Sequence, residues 1–360
     1  MKKDIKSMLP DELAEYFESI GERAFRGEQV FRWLHSGATA FSEMTNLPEK
    51  LRVRLDDEFI ITLPEIVEKQ VSQLDGTIKY LWEMSDGNTV ESVLMEYEHG
   101  YSCCISTQVG CRMNCAFCAS AIGGLVRNLT ASEMLDQVLF SQIDAGLRIS
   151  NVVLMGIGEP LDNFDNVLRF LLLLTHTSGI NIGARRITLS TCGIIENIDK
   201  LAVHDIQLSL AVSLHATDDE TRSRLMPVNK SISIYELLQA CDRYYKATGR
   251  RISYEYAMID GVNDTPRHAE MLSRMLKDTS SHINLIRLND VPERSFRASP
   301  PERVKAFSDI LKQKGVNFTI RRKLGGDIDA SCGQLRRRSV PAQPEIGNME
   351  YGTGDERIRQ

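Results

Sequence analysis

From about residue 101 the chain alternates short, β-branched apolar runs with amphipathic stretches, and this rhythm restricts its fold more than any other feature. The runs are "YSCCIST" (101–107), "NVVLMGIG" (151–158), "RRITLST" (185–191), "IQLSLAVSLH" (206–215), "RISYEYAMI" (251–259), "HINLIRLN" (282–289) and "NFTIRR" (317–322). Between them lie stretches with helical spacing, such as "TASEMLDQVLFSQIDAG" and "SIYELLQACDRYYKAT". Alternation of this kind predicts parallel strands joined by crossover helices, hence an α/β fold. About seven strands suit a partial or complete (β/α) barrel, or a doubly wound sheet. No internal repeat is visible.

The flanks read differently. Residues 1–60 are predicted to be a helical module, because "LPDELAEYFESI", "RGEQVFRWLHSG" and "LPEKLRVRLDDEF" have apolar residues at helical spacing, broken by Gly and Pro. Over 61–96 the period shortens towards two. Asp75-Gly76 and Asp86-Gly87-Asn88 are hairpin signals there, so a short antiparallel β extension is expected. The core then runs over 97–338. The tail, 339–360, is rich in Gly, Pro and polar residues, and its composition predicts disorder.

With 42% hydrophobic and 26% charged residues, the chain can bury a sizeable core. No apolar run reaches membrane-spanning length, about 18 residues. The N-terminus lacks the apolar segment and cleavage site of a signal peptide. A cytoplasmic, reducing location is therefore expected, where clustered cysteines point to metal or redox chemistry. A formal net charge of -6 disfavours a generic nucleic-acid coat. Local basic groups remain, among them "RRK" at 321–323 and "RRR" at 336–338. Such groups are solvated surface unless folding gathers them onto one face.

Three of the eight cysteines, Cys111, Cys115 and Cys118, fall within "GCRMNCAFC". A structural zinc site needs four ligands, and the nearest histidine, His99, lies across a predicted strand. Three thiolates on a four-iron cluster leave one iron open to a chelating ligand. In β/α folds, ligands sit beyond the carboxyl ends of the strands. Gly158, Glu159, Ser190, Ser213, Leu214, His215 and Asn289 all follow apolar runs, and so could converge on one mouth.

The C-x3-C-x2-C spacing after the first strand of a β/α series resembles the radical S-adenosylmethionine (SAM) superfamily. That resemblance implies a partial (β/α) barrel, a 4Fe-4S cluster on Cys111, Cys115 and Cys118, and SAM on the open iron. It also implies that "GEP" (Gly158, Glu159) takes the SAM amino group. Ser190, Ser213, Leu214, His215 and Asn289 would meet its ribose, carboxylate and adenine. "STQVGCRMNCAFC", "LMGIGEPLDN", "SLHA" and "DIDASCGQL" more narrowly resemble the dual-specificity RNA methyltransferases that modify C2 of adenine, over nearly the whole chain.

That family implies a relay using two SAM molecules per turnover. Cys332 accepts a methyl group from the first. The second generates a radical that activates the S-methyl carbon for addition to adenine C2. Cys104 then resolves the protein–RNA adduct, leaving a Cys104–Cys332 disulfide. Glu91 aligns with the family's proposed proton acceptor, and Cys104 is the other candidate for that step. The family also implies 23S rRNA and tRNA as partners, a flavodoxin- or ferredoxin-like electron donor, no membrane, and a monomer. Its N-terminal module is expected to dock RNA and to be removable without loss of SAM cleavage. Departures from the family pattern are Ile157 for a common Met, Ser331 for a common Ala, and an extra thiol at Cys103. Two rivals remain. One is the sibling family that methylates C8 of the same adenine, disfavoured by Val109 and Pro160. The other is a non-catalytic, zinc-stabilised RNA-binding protein.

Overall fold

Each of the seven runs read from residue 101 onward contains one strand in the computed structural model, which describes residues 2–204, 206–277, 279–289 and 291–328. In the same sheet three strands precede them: β1 (Glu65–Val71), β2 (Ile78–Glu83) and β3 (Thr89–Tyr97). The seven are β4 (Gly100–Cys104), β5 (Ile149–Leu154), β6 (Ile187–Thr191), β7 (Ser209–Ser213), β8 (Ile252–Met258), β9 (Ser281–Arg287) and β10 (Phe318–Ile320). All ten form one sheet in chain order, from β1 at one edge to β10 at the other. Pairing is antiparallel from β1 to β4 and parallel from β4 to β10.

The antiparallel extension therefore continues the barrel sheet. Its hairpins turn where the Asp-Gly pairs stand, with Gly76 at φ +71° and Gly87 at φ +78°. Those angles suit a residue with no Cβ.

Helices α1 (Pro10–Ser19), α2 (Phe25–His35) and α3 (Glu49–Glu58) form the N-terminal module. The crossovers carry α4 (Ala131–Ala145), α5 (Phe164–Thr175), α6 (Ile195–Val203), α7 (Asp219–Leu225), α8 (Ile234–Thr248), α9 (Pro266–Leu276) and α10 (Pro301–Gln313). α4 starts at a capping box, in which the Thr130 hydroxyl accepts from the Glu133 N–H and the Glu133 carboxylate accepts from the Thr130 N–H. It ends at Gly146, φ +64°, a left-handed cap.

The N-terminal module is not a separable body. Ile5, Leu13, Phe17, Val30 and Phe31 belong to the same buried apolar cluster as Met134, Leu135 and Val138 of α4. Lys6 donates to both carboxylate oxygens of Asp136 at 2.7 and 2.6 Å, and both side chains are buried. Removing residues 1–60 would strip this core and leave Asp136 without its cation. The expectation that removing residues 1–60 would spare SAM cleavage while losing RNA methylation runs against this packing: apolar periodicity marks a helical face but not what that face packs against.

Cys332, Ser331 and the tail predicted to be disordered lie outside the described residues. Among the described residues no helix is long and apolar enough to cross a membrane.

Candidate functional site

The cysteine loop leaves a two-stranded ribbon, Gln108–Gly110 paired with Leu125–Asn128. Gly110 has φ +78°, and a Cβ there would lie 2.0 Å from the Gly124 carbonyl oxygen, which also accepts the Cys111 N–H at 2.9 Å. Only glycine fits this approach. Asn114, at φ +50°, turns the loop between Cys111 and Cys115, a conformation asparagine tolerates. The Ala116 N–H is held by the Leu225 carbonyl at 2.8 Å, pinning the loop to the end of α7. Met113, Cys115 and Phe117 pack on Cys192, Leu225, Met226 and Ile259, an apolar shell beside the thiols.

A cavity of about 290 Å³ collects Cys111, Cys115 and Cys118 on one wall, with Gly158, Glu159, Ser190, Ser213, His215 and Asn289 also lining it. Of the residues singled out for the cofactor, Leu214 alone does not line it. Leu214 is fully buried in the main core, and its carbonyl accepts from Arg222.

The glycines of "GIGEP" let this strand end touch the segment after β4. A Cβ on Gly156 would lie 2.5 Å from the Ile105 carbonyl oxygen. One on Gly158, itself at φ +113°, would lie 2.7 Å from the Gln108 Cβ. Ile157 works here through its backbone: its carbonyl accepts from the Thr107 and Gln108 N–H groups. The Glu159 carboxylate is buried and accepts from the Cys192 N–H at 2.7 Å and the Leu161 N–H at 3.1 Å. Burial pushes its carboxyl upward, and these backbone donors counter that. Glu159 thus fastens two strand ends together.

His215 has φ +55°, uncommon for a side chain with a Cβ. It is held there by Asn263, whose amide donates to the His215 carbonyl at 2.7 Å, and by the Ala257 N–H, which donates to Nδ1 at 3.0 Å. Burial, with Arg222 nearby, lowers its pKa to about 3, so the ring is neutral with its proton on Nε2.

Several site residues carried no sequence signal. Arg222 is fully buried and donates to the carbonyls of Cys192 (2.7 Å), Ser213 (3.0 Å) and Leu214 (3.2 Å), tying the ends of β6 and β7 together. Cys192, a buried thiol, also lines the cavity. So does Glu255, which is buried. Its Oε1 accepts from Asn284, but its Oε2 is buried without a partner, as is the hydroxyl of Ser120, which lines the same cavity. No spacing rule marks any of these, because each matters through a tertiary neighbour.

The donor set fits a four-iron cluster and SAM. Unpaired buried oxygens in a cavity wall suit a ligand rich in hydroxyl and ammonium donors. Burial pushes the Cys111 thiol up to about 12 and raises that of Cys115, and each neighbouring thiolate adds to the effect. Such thiols ionise readily only against bound cationic iron. Among the described residues no three His, Cys, Asp or Glu side chains are gathered as one metal ion requires. In a cluster each thiolate holds a different iron, and the looser spacing suits that.

A second cavity, of about 160 Å³, shares Met155, Ile286, Arg287, Asn289 and Arg321 with the first. Cys104 lines it. Cys103, its neighbour, faces the opposite side of β4 in the main core, and burial pushes its thiol up to about 12. Glu91 is buried on β3 and paired with buried Lys79 at 2.9 Å. It lines neither cavity.

Residues 105–276 match the radical SAM superfamily, and residues 3–61 match the ribosomal RNA large subunit methyltransferase N-terminal domain. Two curated relatives bear the name "Probable dual-specificity RNA methyltransferase RlmN". The one from Lachnoclostridium phytofermentans is 49% identical over 93% of this chain and 95% of its own length. The one from Alkaliphilus metalliredigens is 49% identical over 95% and 97%. A crystal structure of a radical SAM methyltransferase from Sphaerobacter thermophilus superposes with a TM-score of 0.87 at 42% identity, covering 92% of this chain and 98% of that one.

Proposed function

Because the chain belongs to the RlmN family of dual-specificity RNA methyltransferases, a branch of the radical SAM superfamily, we propose that it methylates C2 of one adenosine in 23S rRNA, at the peptidyl transferase centre, and of the adenosine beside the anticodon in tRNAs. One observation carries this reading. The cavity that collects the three loop cysteines shares a wall with a second cavity lined by Cys104. SAM chemistry and thiol chemistry can therefore meet on one substrate base.

A bound 4Fe-4S cluster, reduced by an external donor, supplies the electron that splits SAM and so makes an unreactive C–H bond accessible. The remaining contributions belong to the protein. Cys111, Cys115 and Cys118 hold the cluster. The backbone opened by Gly156 and Gly158 receives the SAM amino group. Ser190, Ser213, His215, Glu255 and Asn289 orient the rest of SAM. The apolar shell around Phe117 and Met226 keeps water from the reacting atoms. Cys332 carries the methyl group to C2. Cys104 attacks the Cys332 sulfur as a thiolate, the bond from that sulfur to the tethering methylene carbon breaks, the carbon takes up a proton to become the methyl group, and a Cys104–Cys332 disulfide is left for later reduction. Proton removal from C2 needs a base within hydrogen-bond reach, which favours cavity-lining Cys104 over Glu91, whose carboxylate is engaged by Lys79. The protein is taken to act as a cytoplasmic monomer, with a flavodoxin- or ferredoxin-like donor and with α1–α3 docking folded RNA.

The decisive experiment is Cys104→Ala in the iron-loaded protein with SAM, reductant and RNA. A thioether-linked protein–RNA species should accumulate, with its methylene carbon on adenine C2 by mass mapping, and Cys103→Ala should turn over normally. Mapping to C8, or normal turnover by Cys104→Ala, refutes the assignment.

A further inference from the structure

The chain leaves β10 at one edge of the sheet and arrives, within eight residues, at the hairpin loop beyond β1 on the opposite edge. The Arg321 N–H still bonds the Leu285 carbonyl at 2.9 Å. The Gly325 N–H then donates to Asp75 at 2.8 Å. Asp327 accepts the Ser72 hydroxyl at 2.6 Å and the Gln73 N–H at 2.8 Å. Residues 321–328 thus form a strap joining the two open edges, clasped at its far end by two carboxylates.

Under this strap lies the second cavity. Arg287, Arg321, Arg322 and Lys323 line it, and no Asp or Glu does. Among the described residues, no ion pair engages Arg287, Arg322 or Lys323. The acids of the clasp, Asp75 and Asp327, are spent on backbone and hydroxyl donors, and Glu255, in the adjoining cavity, acts on Arg321 rather than on the other three cations. Gathering cations around one hollow is self-repulsive, and a bound anion relieves it. Tyr97, on the same wall, stacks against His99 with ring centroids 5.2 Å apart, a surface that suits an unstacked base. An enzyme that works on a base inside folded RNA must extrude that nucleotide, which brings its phosphates to the mouth of the site.

We propose that the strap is a backbone clamp for RNA, in which Arg322 and Lys323, with Arg287, hold the phosphates flanking the adenosine whose base enters beside Cys104. The ligand class is the RNA phosphodiester, and the inference rests on the RNA methyltransferase reading above. Such contacts position the strand without reading its sequence. The "RRK" triplet, solvated surface by default, becomes a clamp because β10 and the clasp aim it at the cavity.

The test is binding of full-length protein to a tRNA transcript between 50 and 200 mM salt, for wild type, Arg322→Gln/Lys323→Gln, and Lys312→Gln/Lys314→Gln. The last pair removes equal charge from exposed positions that do not line the cavity. Losing two phosphate contacts to an unpaired strand should reduce the slope of log K against log salt by about 1.4. The control pair should leave it unchanged. An unchanged slope in the strap variant, or an equal drop in the control, overturns the clamp. Either result leaves the methyltransferase reading intact if wild type still methylates the RNA, whereas wild type that neither binds nor methylates it refutes both. If the double variant melts early, the two single variants decide, each with half the expected change.

Discussion

At the scale of single residues, the site is set by glycines and by which side of a strand a thiol occupies. Gly110 is the sharpest case, since any Cβ there meets the Gly124 carbonyl oxygen. Gly110→Ala must push apart the ribbon that launches Cys111, while touching little of the main core. Iron per chain and the brown colour of anaerobically purified protein should fall several-fold, with the melting temperature lowered only modestly. Full iron content in that variant would show that the loop does not depend on this approach. The two adjacent thiols differ for an equally local reason: successive side chains on a strand point to opposite faces. Cys104 therefore lines a cavity, while Cys103 is sealed in the core.

At the scale of elements, the buried pair between Lys6 and Asp136 locks the segment before α1 onto α4. Asp136 is buried, and burial pushes its carboxyl upward even with Lys6 attached. Lys6 also donates to the Thr62 carbonyl, so one ammonium joins three segments. Lys6→Met leaves an unpaired acid in the interior and should cost about 3–5 kcal/mol in urea unfolding. Lys6→Met/Asp136→Leu should recover most of that loss, because a packed apolar pair needs no charge compensation. A single variant as stable as wild type would show that the pair contributes nothing to holding α1 and α4 together.

At the scale of the whole molecule, the N-terminal helices, the barrel and the strap act as one body. A chain beginning at residue 61 exposes the apolar faces of α4 and α5 and leaves Asp136 without its cation. It is expected to be insoluble, or to lack a cooperative melting transition, and so to lose SAM cleavage along with RNA methylation. A soluble, cooperatively folding truncation that still cleaves SAM would show that the barrel stands alone.

By itself, the sequence determined what local rules govern. Periodicity located all seven parallel strands, because strands covered on both faces read as continuous apolar runs. The Asp-Gly pairs located both hairpins of the extension, since those turns need positive φ. Cysteine spacing and the residues after each apolar run identified most of one cavity wall, because a β/α fold brings strand ends together. Tertiary structure alone decided the rest. Leu214 turned inward to the core, Glu255 kept an unpaired oxygen in the cavity, and Arg222 bound the carbonyls of two strand ends. The strap closed the sheet through carboxylates separated from their partners by some 250 residues of chain. Such contacts follow from how the sheet curls and where its edges meet, and no local pattern along the chain encodes that distance.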